Sequence, residues 1–231
     1  MEKIDLILTG AGKYKRFRRF SYEVPKYLLP VSNRTLLHHI LKGFGEGEFN
    51  SVSFVGNEQD RRFSSVVSDI MQEMTGSCKV RWIEDTEGQA QSLLESLEGS
   101  QRVMVHNIDT VLLNRDWSFQ QGTDADCVID VFDSSNKEYS YVITEDDKAI
   151  EIREKSVISS KASSGCYYFK NTNILKKYIS DKTVYISEAI NSMIKDGCDV
   201  RVTKEYKGSD TVVLGTPEEY LANIQTLRYF R

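Results

Sequence analysis

The N-terminal segment constrains the fold most, because it joins an apolar run to a glycine turn and then to a group of cations. Residues 4–8 predict a buried strand, and Gly10, Ala11 and Gly12 interrupt it. The basic side chains that follow are Lys13, Lys15, Arg16, Arg18 and Arg19. Because glycines let backbone amides approach phosphate oxygens and cations neutralise phosphate charge, the segment predicts a nucleoside triphosphate site.

Each part of this segment also has a simpler interpretation. Gly-x-Gly after a strand is common, the third glycine of the dinucleotide fingerprint is missing, and no Gly-Lys-Ser/Thr follows to make a Walker A loop. A basic run is usually a solvated surface. The order of the elements favours the ligand site, because Pro25 and Lys26 follow the cations and precede a second apolar segment.

Strand patterns alternate with helix patterns along the rest of the chain. The predicted strands are residues 4–8, 51–55, 79–83, 102–105, 127–132 and 200–204, and the predicted helices are residues 35–44, 61–74, 90–97, 173–178 and a segment beginning at 185. Residues 139–144 and 148–153 predict an antiparallel pair. The pattern predicts an α/β fold with a Rossmann-like, mostly parallel central sheet flanked by helices and a small antiparallel subregion. The length suits a single domain over residues 1–231.

The composition excludes several classes of protein. A formal net charge of -4 argues against general nucleic-acid binding, which favours a basic surface. The cysteines are Cys78, Cys127, Cys166 and Cys198. No two of them have CxxC spacing, so neither a zinc site nor a redox motif is expected. Asp5 interrupts the first apolar run and no stretch approaches the roughly 20 apolar residues that span a bilayer, so we expect a cytoplasmic protein without a signal peptide or membrane partner.

The N-terminal motifs resemble the signature of the nucleotidyltransferases that make nucleotide-activated sugars and related alcohols. That family has a glycine-rich loop ending in arginine, which Gly12 and Arg16 match. A Pro-Lys-x-Leu-x-Pro-Val element follows in the family, and its counterparts here are Pro25, Lys26, Leu28, Pro30 and Val31. Tyr14 stands at the family's second loop glycine, so its side chain either crowds the triphosphate or gives the loop a different shape.

The resemblance implies that one half of the site binds the nucleotide. Its expected contacts are Thr9, Gly10, Ala11, Gly12, Arg16, Lys26, Gly88, Gln89, Asn107 and Asp109. Arg16 and Lys26 are the expected catalytic residues, with Arg16 neutralising the β- and γ-phosphates and Lys26 the α-phosphate. Residues 88–92 resemble the family's base-reading loop. Ile83 stands where some thymidylyl and uridylyl members carry a base-reading glutamine, which favours CTP slightly.

The resemblance also implies a magnesium ion. Asp109 follows a predicted buried strand, where a carboxylate suits a hard cation, and Asn107 and Asp109 match the family's Asn-Gly-Asp. The family's second metal-binding aspartate aligns with Val213. Three explanations are open. Mg²⁺ is held only by Asp109, the phosphates and water, or Asp210 reaches the metal from a shifted backbone. In the third, catalysis is impaired and the chain is a binding protein.

A second group of motifs resembles the family's acceptor half. The implied acceptor-binding residues are Tyr139, Ser140, Glu154, Lys155, Gly165 and Glu188. Lys155 is expected to bind the acceptor phosphate. Ser140 replaces a glycine that makes room for the sugar in sugar-using members, which makes a small phosphorylated alcohol or amino compound a live alternative to a sugar phosphate. Ser187 is the predicted N-cap of the helix that begins near residue 185.

The function implied is nucleotidyl transfer of the EC 2.7.7 kind. An acceptor phosphate oxygen attacks the α-phosphorus of the triphosphate and pyrophosphate leaves, with a role in capsule or lipopolysaccharide precursor synthesis expected. One rival is a catalytically silent nucleotide-binding or regulatory protein, suggested by Tyr14 and Val213. The other is a nucleotide-sugar glycosyltransferase, for which residues 124–126 have the Asp-x-Asp spelling but precede a strand. The acceptor and the oligomeric state stay open at this point.

Overall fold

The chain is built on one nine-stranded mixed sheet with helices on both faces. The computed structural model describes residues 4–19, 23–45, 49–76, 79–99, 101–117 and 123–229, so Cys78 lies outside the described residues. The strands are β1 (Ile4–Gly10), β2 (Pro30–Val31), β3 (Arg34–Thr35), β4 (Phe49–Asn57), β5 (Lys79–Ile83), β6 (Val103–Asn107), β7 (Thr110–Leu112), β8 (Cys127–Asp133), β9 (Tyr141–Glu145), β10 (Lys148–Arg153), β11 (Lys161–Phe169), β12 (Val200–Val202) and β13 (Thr211–Val213).

Seven α-helices connect these strands within the described part of the chain. They are α1 (Lys15–Arg18), α2 (Leu36–Lys42), α3 (Ser64–Thr75), α4 (Gln89–Leu94), α5 (Thr172–Lys176), α6 (Ile186–Lys195) and α7 (Pro217–Asn223). Short 3-10 helices cover Lys26–Leu28, Glu58–Phe63, Gly208–Asp210 and Thr226–Tyr229. No helix among the described residues is long and apolar enough to cross a membrane.

The sheet confirms the predicted α/β class. Its order is β5-β4-β1-β6-β11-β8-β12-β10-β9, with β5, β4, β1 and β6 all parallel. Strands β11 and β10 run against the other seven. The predicted antiparallel pair is the β9–β10 hairpin, in which Asp146 takes the left-handed conformation at φ 52° that a tight turn requires. Two small antiparallel ribbons, β13–β7 and β2–β3, complete the sheets.

The central parallel strands β1 and β6 are buried on both faces because helices cover both. Along β1, Leu6 and Leu8 pack into one apolar layer while Ile7 packs into the other, as the two-residue strand period requires. Cys127 and Cys166 are buried free thiols, as predicted. The two layers hold the central strands firmly, and the loops at their carboxyl ends are therefore fixed in position.

The start of α6 corrects one prediction. The helix begins at Ile186, so its N-cap is Tyr185, and the prediction of Ser187 as the cap was wrong. The Glu188 carboxylate accepts hydrogen bonds from the amides of Val184 and Tyr185 at 2.9 and 3.0 Å. Glu188 thus bonds the amides at and before the N-cap, as the third helical residue of a capping box does, and the Ser187 hydroxyl has another partner.

A buried ion pair joins the β7–β13 ribbon to the main sheet. The Arg115 guanidinium, with no exposed side-chain surface, donates to both carboxylate oxygens of Asp130 on β8 at 3.0–3.1 Å. Its other nitrogens donate to the Asp210 carbonyl at 2.8 Å and the Thr211 hydroxyl at 2.6 Å, and it stacks 4.0 Å from the Tyr206 ring. One side chain thus joins β8 to the start of β13 and to the residue before it.

We expect Arg115→Leu to lower the free energy of unfolding by about 3–5 kcal/mol, because it leaves the Asp130 carboxylate buried without its partner. Urea denaturation measures this. Arg153→Leu is the matched control, since Arg153 pairs with Glu151 at the surface and its loss should cost no more than about 1 kcal/mol. If both variants lost the same unfolding free energy, the buried Arg115–Asp130 pair would not stabilise the fold more than the surface pair does.

Candidate active site

A polar cleft of about 720 Å³ lies at the carboxyl ends of the parallel strands, the edge of an α/β sheet where ligands bind. The loop after β1 and the 3-10 helix at Lys26–Leu28 form one wall, and β11 with the segment before α6 forms the other. The predicted site residues that line the cleft are Thr9, Ala11, Gly12, Arg16, Lys26, Gly88, Gln89, Asn107, Asp109, Tyr139, Ser140, Glu154, Lys155 and Gly165. Residues from the whole length of the chain therefore meet in one place.

Three predicted site residues lie elsewhere. Gly10 is needed for packing, since a Cβ there would stand 2.7 Å from the Phe54 ring. Glu188 caps α6 and does not line the cleft. Asp210 lies in the 3-10 helix before β13 and its carboxylate accepts a hydrogen bond from Asn114 at 2.9 Å, so the suggestion that it reaches the metal position is not supported.

The central interaction of the cleft is an ion pair between Lys26 and Asp109. The Lys26 ammonium and the Asp109 carboxylate are 2.5 Å apart, and both side chains are mostly buried. Burial alone raises the pKa of Asp109, but the Lys26 charge and hydrogen bond outweigh it and hold the pKa below its ordinary value. The cleft therefore contains an ionised carboxylate and a cation next to each other before any ligand binds.

Tyr14 shapes the glycine-rich loop. Its backbone takes the left-handed conformation at φ 46°, which glycine adopts freely, so the loop keeps a glycine-like path despite the side chain. The Tyr14 hydroxyl donates to the Gly10 carbonyl, and its ring meets the Tyr27 ring edge-on at 6.0 Å. The Lys26 ammonium lies 5.6 Å from the centre of the Tyr14 ring. Tyr14 thus folds back under the loop and forms part of the cleft wall.

The sequence analysis missed a network that holds the glycine-rich loop. Asn57, at the end of β4, donates to the Ala11 carbonyl at 3.2 Å and to the Asp85 carboxylate at 2.9 Å. Asp85 also pairs with Lys13 at 2.8 Å. The available signal was a buried polar residue at the carboxyl end of a strand, but its partners are 28 and 46 residues away and no local pattern identifies them.

The segment at Gly88 and Gln89 is anchored from two sides. A Cβ on Gly88 would lie 2.3 Å from the Val184 carbonyl oxygen, so the close approach of the chain before α6 requires glycine. The Thr9 hydroxyl donates to the His106 carbonyl at 3.2 Å and accepts from the Gln89 amide at 2.9 Å. Burial lowers the pKa of His106 to about 4, so its ring is neutral.

The end of the cleft that contains Glu154 and Lys155 is lined by hydroxyl groups. The Ser140 and Ser187 hydroxyls both donate to Glu154 Oε2, the second at 2.8 Å. Lys155, in a left-handed turn at φ 50°, points its ammonium to within 3.3 Å of the Tyr185 hydroxyl. Ser187 was predicted only as a helix cap, so its contact with Glu154 is a site feature that the sequence did not reveal.

Oxygen atoms at the end of β6 fit a divalent cation. The Asp109 carboxylate is ionised, and Asn107 Oδ1 is a buried oxygen without a hydrogen-bond partner. Val213 lines the cleft with an apolar side chain. Within the described ranges no group of three or more histidine, cysteine or acidic side chains is arranged around one point. Magnesium commonly takes only one or two carboxylates beside phosphate oxygens and water, and Asp109 and Asn107 offer oxygens of the kind that it binds.

Comparisons with known proteins agree on one family. A family profile described as "Nucleotidyl transferase" matches residues 4–227. Among solved structures, a nucleoside-diphosphate-sugar pyrophosphorylase from Vibrio cholerae superposes with a TM-score of 0.80 at 21% identity, covering 95% of this chain and 99% of that one. A search of curated protein sequences gave no significant match.

Two further structures share the fold. A putative glucose-1-phosphate thymidylyltransferase from Bacillus anthracis gives a TM-score of 0.79 at 18% identity, covering 99% of this chain and 96% of that one. The inositol-1-phosphate CTP transferase from T. maritima gives 0.76 at 15% identity, covering 99% and 97%. At these identities the superpositions establish the fold alone.

Gly165 on β11 lies against Asn107 and leaves no room for a side chain. Gly165 has φ 80°, and a Cβ there would stand 2.1 Å from the Asn107 amide nitrogen, whereas Gly197 has φ 84° and open space around it. We expect Gly197→Ala to lose about 1–2 kcal/mol of unfolding free energy from the left-handed backbone alone. Gly165→Ala should lose more and should also weaken nucleotide binding, measured by calorimetry, because Asn107 must move. Identical behaviour of the two variants would contradict this account.

Proposed function

This chain belongs to the nucleotidyl transferase family and is a nucleotidyltransferase, and we propose that it transfers a nucleoside monophosphate, with CTP the favoured donor, to a small phosphorylated acceptor. The observation that carries the proposal is the Lys26–Asp109 pair, set between the glycine-rich loop and the Lys155 end of one cleft. The acceptor phosphate oxygen attacks the α-phosphorus, and the bond to the pyrophosphate leaving group breaks.

This reaction requires mainly that the reacting groups are positioned and that the phosphate charge is neutralised, and no protein nucleophile is needed. Lys26 neutralises the charge that grows on the α-phosphate. Arg16, whose guanidinium is exposed at the cleft mouth and pairs with Glu138 at 3.0 Å, is free to exchange that partner for the β- and γ-phosphates. Lys155 holds the acceptor phosphate at the opposite end.

Members of the family generally use a divalent metal such as Mg²⁺. In this chain Asp109 is the carboxylate that would hold it, with Asn107 as a neighbouring oxygen donor. When bound, the ion neutralises phosphate charge and helps to orient the reacting groups.

The preference for CTP rests on the position that reads the base. Ile83 is 7% exposed and offers no hydrogen bond where a thymine- or uracil-reading glutamine is expected. The choice of a phosphorylated alcohol as acceptor rests on Ser140, which replaces the glycine that makes room for the sugar in sugar-using members. We place the reaction in the cytoplasm and in the supply of surface polysaccharide precursors.

The structure bears differently on the two rival functions, the glycosyltransferase and the silent nucleotide-binding protein. For the glycosyltransferase, residues 124–126 do not line the cleft: Asp124 pairs with Lys170 at 3.3 Å, and Asp126 accepts a hydrogen bond from the Asp199 amide at 2.9 Å. For the silent nucleotide-binding protein, Val213 does line the cleft where the family has a carboxylate. That observation keeps the second rival as the alternative to test.

The deciding experiment is pyrophosphate release with Mg²⁺, using CTP, UTP, GTP, ATP and dTTP against a panel of sugar phosphates and phosphorylated small alcohols and amino compounds. We expect release with CTP and one acceptor class. Tight binding of one nucleotide without release on any acceptor would favour the silent protein, and Val213→Asp should then restore turnover.

Lys26→Ala should reduce turnover by about 10²–10³-fold, because it removes the cation that neutralises the α-phosphate. Steady-state pyrophosphate release measures the effect, with the melting temperature as a check on folding. Lys79→Ala removes an exposed lysine of β5 outside the cleft and should leave turnover unchanged. Normal turnover of Lys26→Ala would refute its catalytic function.

Ser140→Gly tests the acceptor class. Removing this hydroxyl opens space beside Glu154, so we expect kcat/KM for hexose 1-phosphates to rise by about tenfold or more relative to a small phosphorylated alcohol. Ser160→Gly, at an exposed position outside the cleft, is the control. No change in the ratio for Ser140→Gly would show that this side chain does not limit acceptor size.

A further inference from the structure

We infer that Glu219 supplies the second carboxylate for the divalent cation, in place of the residue missing at position 213. The inference rests on the proposed function, because it assumes that a cation accompanies the nucleotide at Asp109. Glu219 belongs to the first turn of α7, six residues after Val213, and it lines the cleft.

The carboxylates of Asp109 and Glu219 both lie beside Gly215. A Cβ built on Gly215 would stand 3.3 Å from Asp109 Oδ2 and 3.3 Å from Glu219 Oε2. The two carboxylate oxygens therefore lie beside the same glycine and no more than about 6.6 Å apart, which is the sum of the two distances. Two negative charges at this separation favour a cation near both, and Lys26, bound to Asp109 Oδ2, is one such cation.

The backbone fixes this arrangement. Strand β13 pairs with β7, and the Leu214 amide donates to the Asp109 carbonyl at 2.7 Å, so the segment that carries Gly215 is joined to the segment that carries Asp109. Within α7, Glu219 Oε2 accepts from the Thr216 amide at 3.0 Å and Oε1 accepts from the Tyr139 hydroxyl at 3.1 Å. A carboxylate oxygen has a second lone pair, so each oxygen can still meet a cation.

The simpler interpretation is that Glu219 only caps α7. Thr216 and Glu219 form a complete capping box, which accounts for the carboxylate without any ligand. A cap, however, works equally well with glutamine, whereas a metal-binding carboxylate does not. The substitution Glu219→Gln therefore separates the two functions while keeping the helix start.

The test is Mn²⁺ binding, followed by the electron paramagnetic resonance signal of free Mn²⁺, with protein alone and with saturating α,β-methylene CTP. We expect Glu219→Gln to weaken Mn²⁺ affinity by at least about tenfold, with an unchanged melting temperature and unchanged nucleotide affinity without metal. Glu218→Gln is the matched control, since it removes the same charge from an exposed neighbour outside the cleft and should bind Mn²⁺ normally.

The outcomes separate this inference from the proposed function. If Asp109→Asn weakens Mn²⁺ binding but Glu219→Gln does not, the metal lies at Asp109 and Glu219 is only a cap. If Glu218→Gln weakens binding as much as Glu219→Gln, the effect is general electrostatics and the inference fails. If Asp109→Asn also binds normally, no cation lies at this carboxylate and the inference fails with it. Pyrophosphate release, a separate measurement, decides the proposed function.

Discussion

The parallel pairing of β1 with β4 and β6 is the constraint on which the site depends. Because parallel strands end at the same edge, this pairing brings the glycine-rich loop, Asn57 and Asp109 together although they are up to about 100 residues apart. The register places Thr9 opposite Asn107, so the loop and the carboxylate segment start side by side. Burial of β1 in both apolar layers makes that register costly to shift.

The charges of the cleft follow from this geometry. Three cations face three carboxylates across it, in the pairs Lys13–Asp85, Arg16–Glu138 and Lys26–Asp109. The first two pairs are well exposed and weak, so a phosphate group can replace the carboxylate at little cost. The third is mostly buried and stronger, which keeps an ionised carboxylate ready at the place where a cation is expected.

The departures from the family pattern are compensated locally. Tyr14 adopts the left-handed backbone of the glycine that it replaces, and its side chain packs under the loop. Ser140 hydrogen-bonds Glu154, which links its hydroxyl to the acceptor half. Val213 offers only an apolar side chain to the cleft, and the Glu219 carboxylate of α7 lies with Asp109 beside Gly215. None of the three departures disturbs the fold.

The sequence by itself determined the α/β class, the strands of the main sheet except β11, and most of the residues that line the cleft. It did so because apolar periodicity reports burial and because the glycine, Pro-Lys and Asn-x-Asp elements keep their order along the chain. Helix boundaries were less certain: Ser187 looked like a cap, but Glu188 performs that function from inside the helix.

Only the tertiary structure decided which side chains meet. Long-range packing joins Asn57 to Ala11 and Ser187 to Glu154, and it places Glu219 and Asp109 on either side of the space beside Gly215. No local pattern contains those distances. Three predicted site residues do not line the cleft in the structure. Gly10 packs against Phe54, Glu188 caps α6, and Asp210 accepts a hydrogen bond from Asn114. Local sequence specifies the elements, and long-range packing specifies their contacts.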